Sequence, residues 1–280
     1  MTGRHKGRYI RHWWGFFPRS SLLLVYLALG LLLAIGGLLK PYSVNLGNLS
    51  SVLRWSSILG MVAIGQTVVM IAGGIDISVG MVVFLTYILG AGLMRGQDAL
   101  ALPVSFLCLA LGALIGVANG IGVTLFRIPP IVMTLGMSTI LNGVVWLYSG
   151  GVTRGGVAPI FKAFGKMSLG SYIPVSAILW IAVSLLMAFI MRRTVLGRKL
   201  HAVGNNPVAA WISGVNVNLI VIISYVISGL LSAAAGLMLL GYLGMANLRF
   251  TDIYTLGSIA AAVIGGTTFF SGLGTIEGTI

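Results

Sequence analysis

The chain has 280 residues, of which 58% are hydrophobic and only 8% charged, with a mean hydropathy of +1.06; a soluble domain carries about 25% charged residues. These values exclude a soluble globule and also disorder, which needs low hydrophobicity and dense charge, and the single cysteine, Cys108, excludes a disulfide scaffold. The net charge of +13 would point a soluble protein toward nucleic acid, but here the basic residues flank apolar stretches and form no domain of their own, so no nucleic-acid partner is expected.

A helix crosses the hydrocarbon core with about 20 residues, and a charge at its centre costs about 2.5 to 3.5 kcal/mol, so charge-free stretches mark the spans. Eight are visible, at 20–39, 55–75, 77–94, 99–126, 128–153, 167–191, 200–248 and 253–276. The seventh begins with a stretch rich in Asn and Gly, so its helix is expected to start near Asn218. The fold expected is all-α: a polytopic membrane helical bundle in one transmembrane domain over residues 1–280.

Residues 1–19 form a basic segment holding Arg4, Lys6, Arg8, Arg11 and Arg19, which precedes a retained first span. Lys and Arg stay on the cytoplasmic side during insertion. With the N-terminus inside, alternation of the spans also puts the second basic cluster, Arg192, Arg193, Arg198 and Lys199, in the cytoplasm. The loop at 150–173 falls outside, although it carries Arg154, Lys162 and Lys166. The apolar opening at Gly278 and Thr279 reads as the start of a further helix, so a complete protein is expected to add about two spans.

Along the chain, Gln66 and Thr67 are the first polar pair inside a span. Gly73-Gly74-Ile75-Asp76-Ile77-Ser78-Val79-Gly80 follows between two stretches long enough to cross. Its glycines permit a reversal, and Asp76 or Ser78 can cap the next helix. Two readings stand: a capped turn at the cytoplasmic face, or a broken helix along a transport path, since irregular backbone at depth needs protein or water around it. Tyr87 lies in the third span. Gly112, Gly116 and Gly120 share one face of the fourth at four-residue spacing, which favours tight helix packing over a moving interface. Asn142 and Trp146 lie one turn apart in the fifth.

After the sixth span comes a stretch, 196–216, in which Asn206 suits an N-cap, Pro207 the first helical position and Gly214 a stop. A short surface helix over 207–213 is therefore expected, presenting Ala209, Ala210, Trp211 and Ile212 either to the headgroup zone or to a partner. The last informative segment, 258–274, repeats the device of an apolar helix ending in a glycine pair, Gly265-Gly266. No phosphate-binding loop, intramembrane carboxylate pair or metal-ligand cluster is present in the sequence, so no enzyme activity, metal or cofactor is expected on this chain.

The pieces GGIDISVG (73–80), NG with IPPIVMTLGMSTILNG (119–143), RRTVLGRKLHAVGNNPVAAWISGVNVN (192–218), SGLLSAAAG (228–236) and IAAAVIGGT (259–267) stand in one order. As an ordered set they resemble the permease subunits of bacterial ATP-binding-cassette importers for ribose, xylose and related sugars, from about Leu46 to the end. The resemblance implies a bacterial plasma-membrane subunit that pairs with a second permease copy, two cytoplasmic ATPase subunits and a periplasmic sugar-binding protein. It assigns the ATPase-coupling role to the segment with Gly197, Arg198, Asn206, Pro207, Ala209, Ala210 and Trp211. Two departures stand out: Tyr254-Thr255-Leu256-Gly257 replaces a run that is acidic in many relatives, and Pro207 stands near a position often acidic.

The function expected is ATP-driven import of a neutral sugar, with Gly73, Gly74, Asp76, Ser78, Gly80, Gly265 and Gly266 at helix breaks or gates. Gln66, Thr67, Tyr87, Asn142 and Trp146 are the candidates for the path, each with interhelical bonding or an interfacial position as its plain structural alternative. The rival is an ion-coupled secondary transporter, which needs ion ligands in the bundle, where Asp76 is the one carboxylate on offer.

Overall fold

The computed structural model describes residues 17–153, 155–170, 172–248, 253–268 and 272–280. The basic segment 1–19 lies outside them, apart from the backbone of residues 17–19. The described chain folds as helices α1 (Phe17–Leu39), α2 (Leu46–Ile71), α3 (Val79–Met94), α4 (Asp98–Thr124), α5 (Pro130–Ser149), α6 (Pro159–Lys166), α7 (Val175–Arg193), α8 (Val195–Asn205), α9 (Pro207–Ile212), α10 (Val217–Leu243), α11 (Tyr254–Ile264) and α12 (Ile276–Thr279). Two two-residue strands, β1 (Ser168–Leu169) and β2 (Ile173–Pro174), pair antiparallel with Ser168 opposite Pro174. Five helices, α2, α4, α5, α7 and α10, are long and apolar enough to cross a membrane. The shorter apolar helices α3 and α11 and the described part of α1 complete a multi-pass helical bundle.

The core forms around α10, which packs most extensively on α4 and then on α2 and α3. Glycine makes the α4–α10 contact possible. A Cβ at Gly112 would meet the Gly229 carbonyl oxygen, one at Gly116 the Tyr225 carbonyl oxygen, and one at Gly120 the Ile222 Cα at 2.7 Å. Lipid offers little hydrophobic drive between helices, so such backbone approach supplies the dispersion that holds them. The expected close packing of this stripe is what the structure has.

Several span limits differ from expectation. The second begins at Leu46 rather than residue 55, because Asn45 caps it through Gly47 N at 3.3 Å and because Arg54 is not left in lipid. The Arg54 guanidinium donates to the carbonyls of Gly165 (3.1 Å) and Lys166 (2.9 Å) at the end of α6 and to Ser168 Oγ (2.5 Å), and sits 5.4 Å from the Tyr242 ring centroid. A charge so held satisfies the orphan carbonyls of a helix end. The sixth span begins at Val175, since residues 159–174 are occupied by α6 and the β1–β2 hairpin.

A further difference concerns the eighth span, expected over 253–276 with a helix break at Gly265-Gly266. The structure has the 11-residue α11, non-helical backbone over the described residues 265–268 and 272–275, and then α12. A helix of 11 residues is about 16 Å long, half a bilayer core. The pair Gly265-Gly266 ends it, Gly266 taking φ +88°. The helix of the seventh span, α10, stops at Leu243, and residues 245–248 run as irregular backbone beside α3, where the Tyr87 hydroxyl donates to the Met245 carbonyl at 2.8 Å. Thr255, at the head of α11, accepts from Gly80 N at 3.2 Å, so α11 starts within the bundle.

Candidate functional site

The turn from Ala72 to Ser78 joins α2 to α3 inside the bundle. Asp76 is 1% exposed and bonds Ser228, eleven residues into α10, a rise of about 16 Å. The turn is therefore packed inside the bundle, between α2, α3 and α10. Ser78 occupies the N-cap position of α3 but makes no capping bond with its side chain. Instead the Asp76 carboxylate gathers donors: Oδ1 accepts from Ser78 N (2.9 Å) and Ser78 Oγ (2.6 Å), and Oδ2 from Ser228 Oγ (2.9 Å). The donors left free at the head of α3 are satisfied from elsewhere, Ile77 N by Thr134 Oγ1 of α5 at 3.1 Å and Gly80 N by Thr255 of α11. Asn119 Nδ2 of α4 donates to Ser78 Oγ at 2.9 Å, and the Tyr225 hydroxyl of α10 donates to the Ile75 carbonyl at 3.3 Å.

One broken helix end thus ties together α4, α5, α10 and α11. Inside a bilayer a freed backbone group has no water to turn to, so side chains from neighbours must complete it. The sequence singled out Asp76, Ser78 and Gly80 here, but not Asn119, Thr134, Tyr225 or Ser228. Their signal was present: each is a polar group in a charge-free span, where such groups face other helices rather than lipid. Gly74 completes the turn, its position flanked by the Tyr225 hydroxyl at 2.6 Å from where a Cβ would stand.

The five path candidates separate into two groups. Gln66, Thr67 and Tyr87 are buried, while Asn142 and Trp146 are exposed on the outer face of α5. The structure does not bring the two groups to one surface of the chain. Thr67 is bonded to the Ala63 carbonyl (2.8 Å) and lies 2.9 Å from the Thr279 hydroxyl. Gln66 sits one turn from Val69, whose side chain touches the Gly74 position, and neither end of its amide has a partner among the described residues. Gly136 and Gly143, like Asn142, are exposed on the outer side of α5, on a stripe roughly 100° round the helix from it, and a Cβ added at either would meet nothing within 4 Å.

At the end of the bundle where α7 finishes, the basic stretch forms two helices rather than the one expected. Thr194 caps α8 through Gly197 N at 3.4 Å. Leu200 and Val203 bury its inner face, and Gly197 presses on the Met191 carbonyl oxygen of α7. Gly197 and Arg198 therefore belong to α8, an element the sequence reading did not contain. Asn206 then caps α9, its Oδ1 accepting from Val208 N (3.1 Å) and Ala209 N (3.0 Å), and Pro207 occupies the first turn as expected. Trp211 is 70% exposed, with Val208 and Ile212 beside it, whereas Ala210 is buried, contrary to its expected outward position. At about 100° per residue, Ala210 lies roughly 100° to 200° round the helix from Val208, Trp211 and Ile212, so it faces the anchor.

Both glycine breaks reach this pair of helices. A Cβ on Gly204, near the end of α8, would strike the Ile71 carbonyl oxygen and come within 2.9 Å of Gly272 Cα. The His201 Nδ1 lies 2.9 Å from the Gly272 carbonyl oxygen, and Arg192 Nε forms an ion pair with Glu277 Oε1 at 2.6 Å. Gly265 in turn lies against Gly278, at the start of α12.

Comparison with known proteins supplies the remaining observation. The family described as branched-chain amino acid transport system/permease component matches residues 48–280. The chain is 35% identical to the ribose import permease protein RbsC of Escherichia coli K12, over 100% of this chain and 85% of that protein. It is 33% identical to the galactose/methyl galactoside import permease protein MglC of the same strain, over 91% of this chain and 81% of that one. With RbsC of Bacillus subtilis the identity is 35%, over 91% and 79%. No solved structure matches significantly.

Proposed function

Because the chain belongs to the branched-chain amino acid transport system/permease component family, we propose that it is the membrane-spanning subunit of an ATP-driven importer whose cargo is a sugar handed over by a periplasmic binding protein. The relatives' names, ribose and galactose import permeases, support the sugar. The observation that carries the ATP-driven part is α9: a rigidly capped helix, anchored through Ala210 and α8, that holds Val208, Trp211 and Ile212 outside the bundle. A tryptophan so displayed is the kind of anchor that dominates protein–protein contacts, and the nucleotide chemistry absent from this sequence is then supplied by two ATPase subunits at that contact. No cofactor is assigned to this chain. The N-terminus and the α8–α9 end face the cytoplasm of a bacterial plasma membrane, in keeping with Arg192, Arg193, Arg198 and Lys199 at that end.

The path runs between two permease copies. An asparagine exposed at membrane depth loses its hydrogen bonds in lipid, so Asn142 calls for a polar neighbour that the described residues do not provide. The open positions at Gly136 and Gly143 let another backbone approach the outer side of α5, with Asn142 and Trp146 offered to the neutral hydroxyls of a sugar. Gln66, Thr67 and Tyr87, being buried, belong to the moving wall behind it.

The test is Trp211→Glu in proteoliposomes holding the complete transporter. ATP-dependent sugar uptake should fall at least about tenfold, the loss of a hot-spot contact of about 1.4 kcal/mol or more, while insertion and thermal stability stay unchanged because the side chain touches little of its own chain. Uptake at the original level would overturn the assignment, and a purified complex without a P-loop ATPase would favour the ion-coupled alternative.

A further inference from the structure

The α8–α9 pair is not simply attached to the end of the bundle. Its last turn is wedged between the turn after α2 and the backbone at Gly272, a short way past the break that ends α11. On one side Gly204 meets the carbonyl of Ile71, the last residue of α2, and a Cβ at Gly73 would lie 3.8 Å from Gly204 Cα. On the other side Gly204 meets Gly272, whose own position is closed off by the Asn205 amide nitrogen at 2.5 Å and the His201 carbonyl oxygen at 2.9 Å. No side chain fits in either contact. Two further ties, His201 to the Gly272 carbonyl and Arg192 to Glu277, fasten the stretch from Gly272 to α12 along α7 and α8. Gly265 and Gly278 then carry the same stretch to the end of α11.

We infer that Gly204 is the point at which a displacement of α9 is passed to both breaks, and that α8 and the stretch 272–280 move as one body. The inference rests on the proposed function, in which α9 receives the displacement. Packed interfaces do not deform continuously, so a push on α8 must carry the groups wedged against it. On the Ile71 side the push arrives at the turn that holds Asp76 and the head of α3. On the Gly272 side it arrives, through Gly278, at Gly265 and α11. The two arms meet again within the bundle, because Thr255 of α11 holds Gly80 N of α3. Both breaks thus shift together, and the two halves of the opening cannot move independently.

Two experiments on the complete transporter test this. In a Cys108→Ser background, His201→Cys on α8 and Leu273→Cys, next to Gly272, place thiols at two accessible positions that a short reducible cross-linker joins. If α8 and 272–280 move as one body, uptake after cross-linking stays within about twofold of the same sample after reduction. A loss of tenfold or more that reductant restores overturns the inference. The second variant, Gly204→Ala, forces α8 off the Ile71 carbonyl. It should keep the ATPase bound and hydrolysing while sugar imported per ATP falls at least tenfold, and His201→Ala should lower the same ratio by less. An unchanged ratio in Gly204→Ala overturns the inference. If Gly204→Ala fails to assemble, the cross-link alone decides. Failure of the function itself reads differently: the unmodified protein then shows no ATP-dependent uptake at all.

Discussion

Asp76 accepts three hydrogen bonds and has no cationic partner among the described residues. An asparagine there keeps one oxygen for Ser78 and can donate to the Ser228 hydroxyl, which rotates to accept. Asp76→Asn should therefore cost less than about 1 kcal/mol, whereas Asp76→Ala strands three buried donors and should cost about 3 kcal/mol or more, measured as the shift in thermal or denaturant midpoint of the purified protein. Equal destabilisation by the two would mean that the charge, not the hydrogen bonding, holds the turn. Gln66 is the opposite case. Its amide is buried with no partner among the described residues, a condition that costs about 1 to 3 kcal/mol. Gln66→Met, close in volume and without polar atoms, should raise the melting midpoint. If Gln66 meets the sugar or a neighbour in another state of the transporter, the same variant should also slow uptake; a lower midpoint would show that the amide is satisfied after all.

Glycine divides the helices in the same way. Gly116→Ala sets a methyl against the Tyr225 carbonyl of α10 and should cost about 1 to 3 kcal/mol through overpacking. Gly136→Ala meets nothing within its own chain and should gain up to about 1 kcal/mol of helix propensity. If α5 faces a second copy, that stabilised variant should nevertheless lose dimer or uptake, and unchanged behaviour in both would leave α5 facing lipid. Most spans could be read from charge-free length alone, to within a few residues. The failures have physical causes. Arg54 hid the first turns of α2 because only the distant end of α6 shows where its charge goes. Residues 253–276 carry no charge, so charge-free length alone does not show that α11 starts within the bundle, although the Gly265-Gly266 pair that ends it was legible. The α8 helix carried a weak signal in Leu196, Leu200 and Val203, at spacings of four and three, masked by the basic residues between them. The cap of α9 was legible because capping is local: Asn206, Pro207 and the two amides it holds are neighbours in sequence.

At the scale of the molecule, two features stand apart in the fold. One is a polar knot deep in the bundle, where Asp76, Ser78, Asn119, Thr134, Ser228 and Thr255 satisfy the head of α3. The other is a surface knob on α9, which holds Val208, Trp211 and Ile212 outside the bundle. Residue identity located the knob, because a tryptophan after a strong cap is conspicuous in sequence. Only the fold located the knot, because its members come from five elements, and only the fold shows that Gly204 lies between the two.

The measurement that bears most directly on the account uses the fact that Cys108 is buried and is the only cysteine. In a Cys108→Ser background, Trp211→Cys is labelled with a membrane-impermeant maleimide in intact cells and in inverted vesicles, with and without the ATPase subunits. The account predicts labelling in inverted vesicles alone, and protection of that thiol when the ATPase is bound. Labelling from outside intact cells, or equal labelling with and without the ATPase, would contradict it.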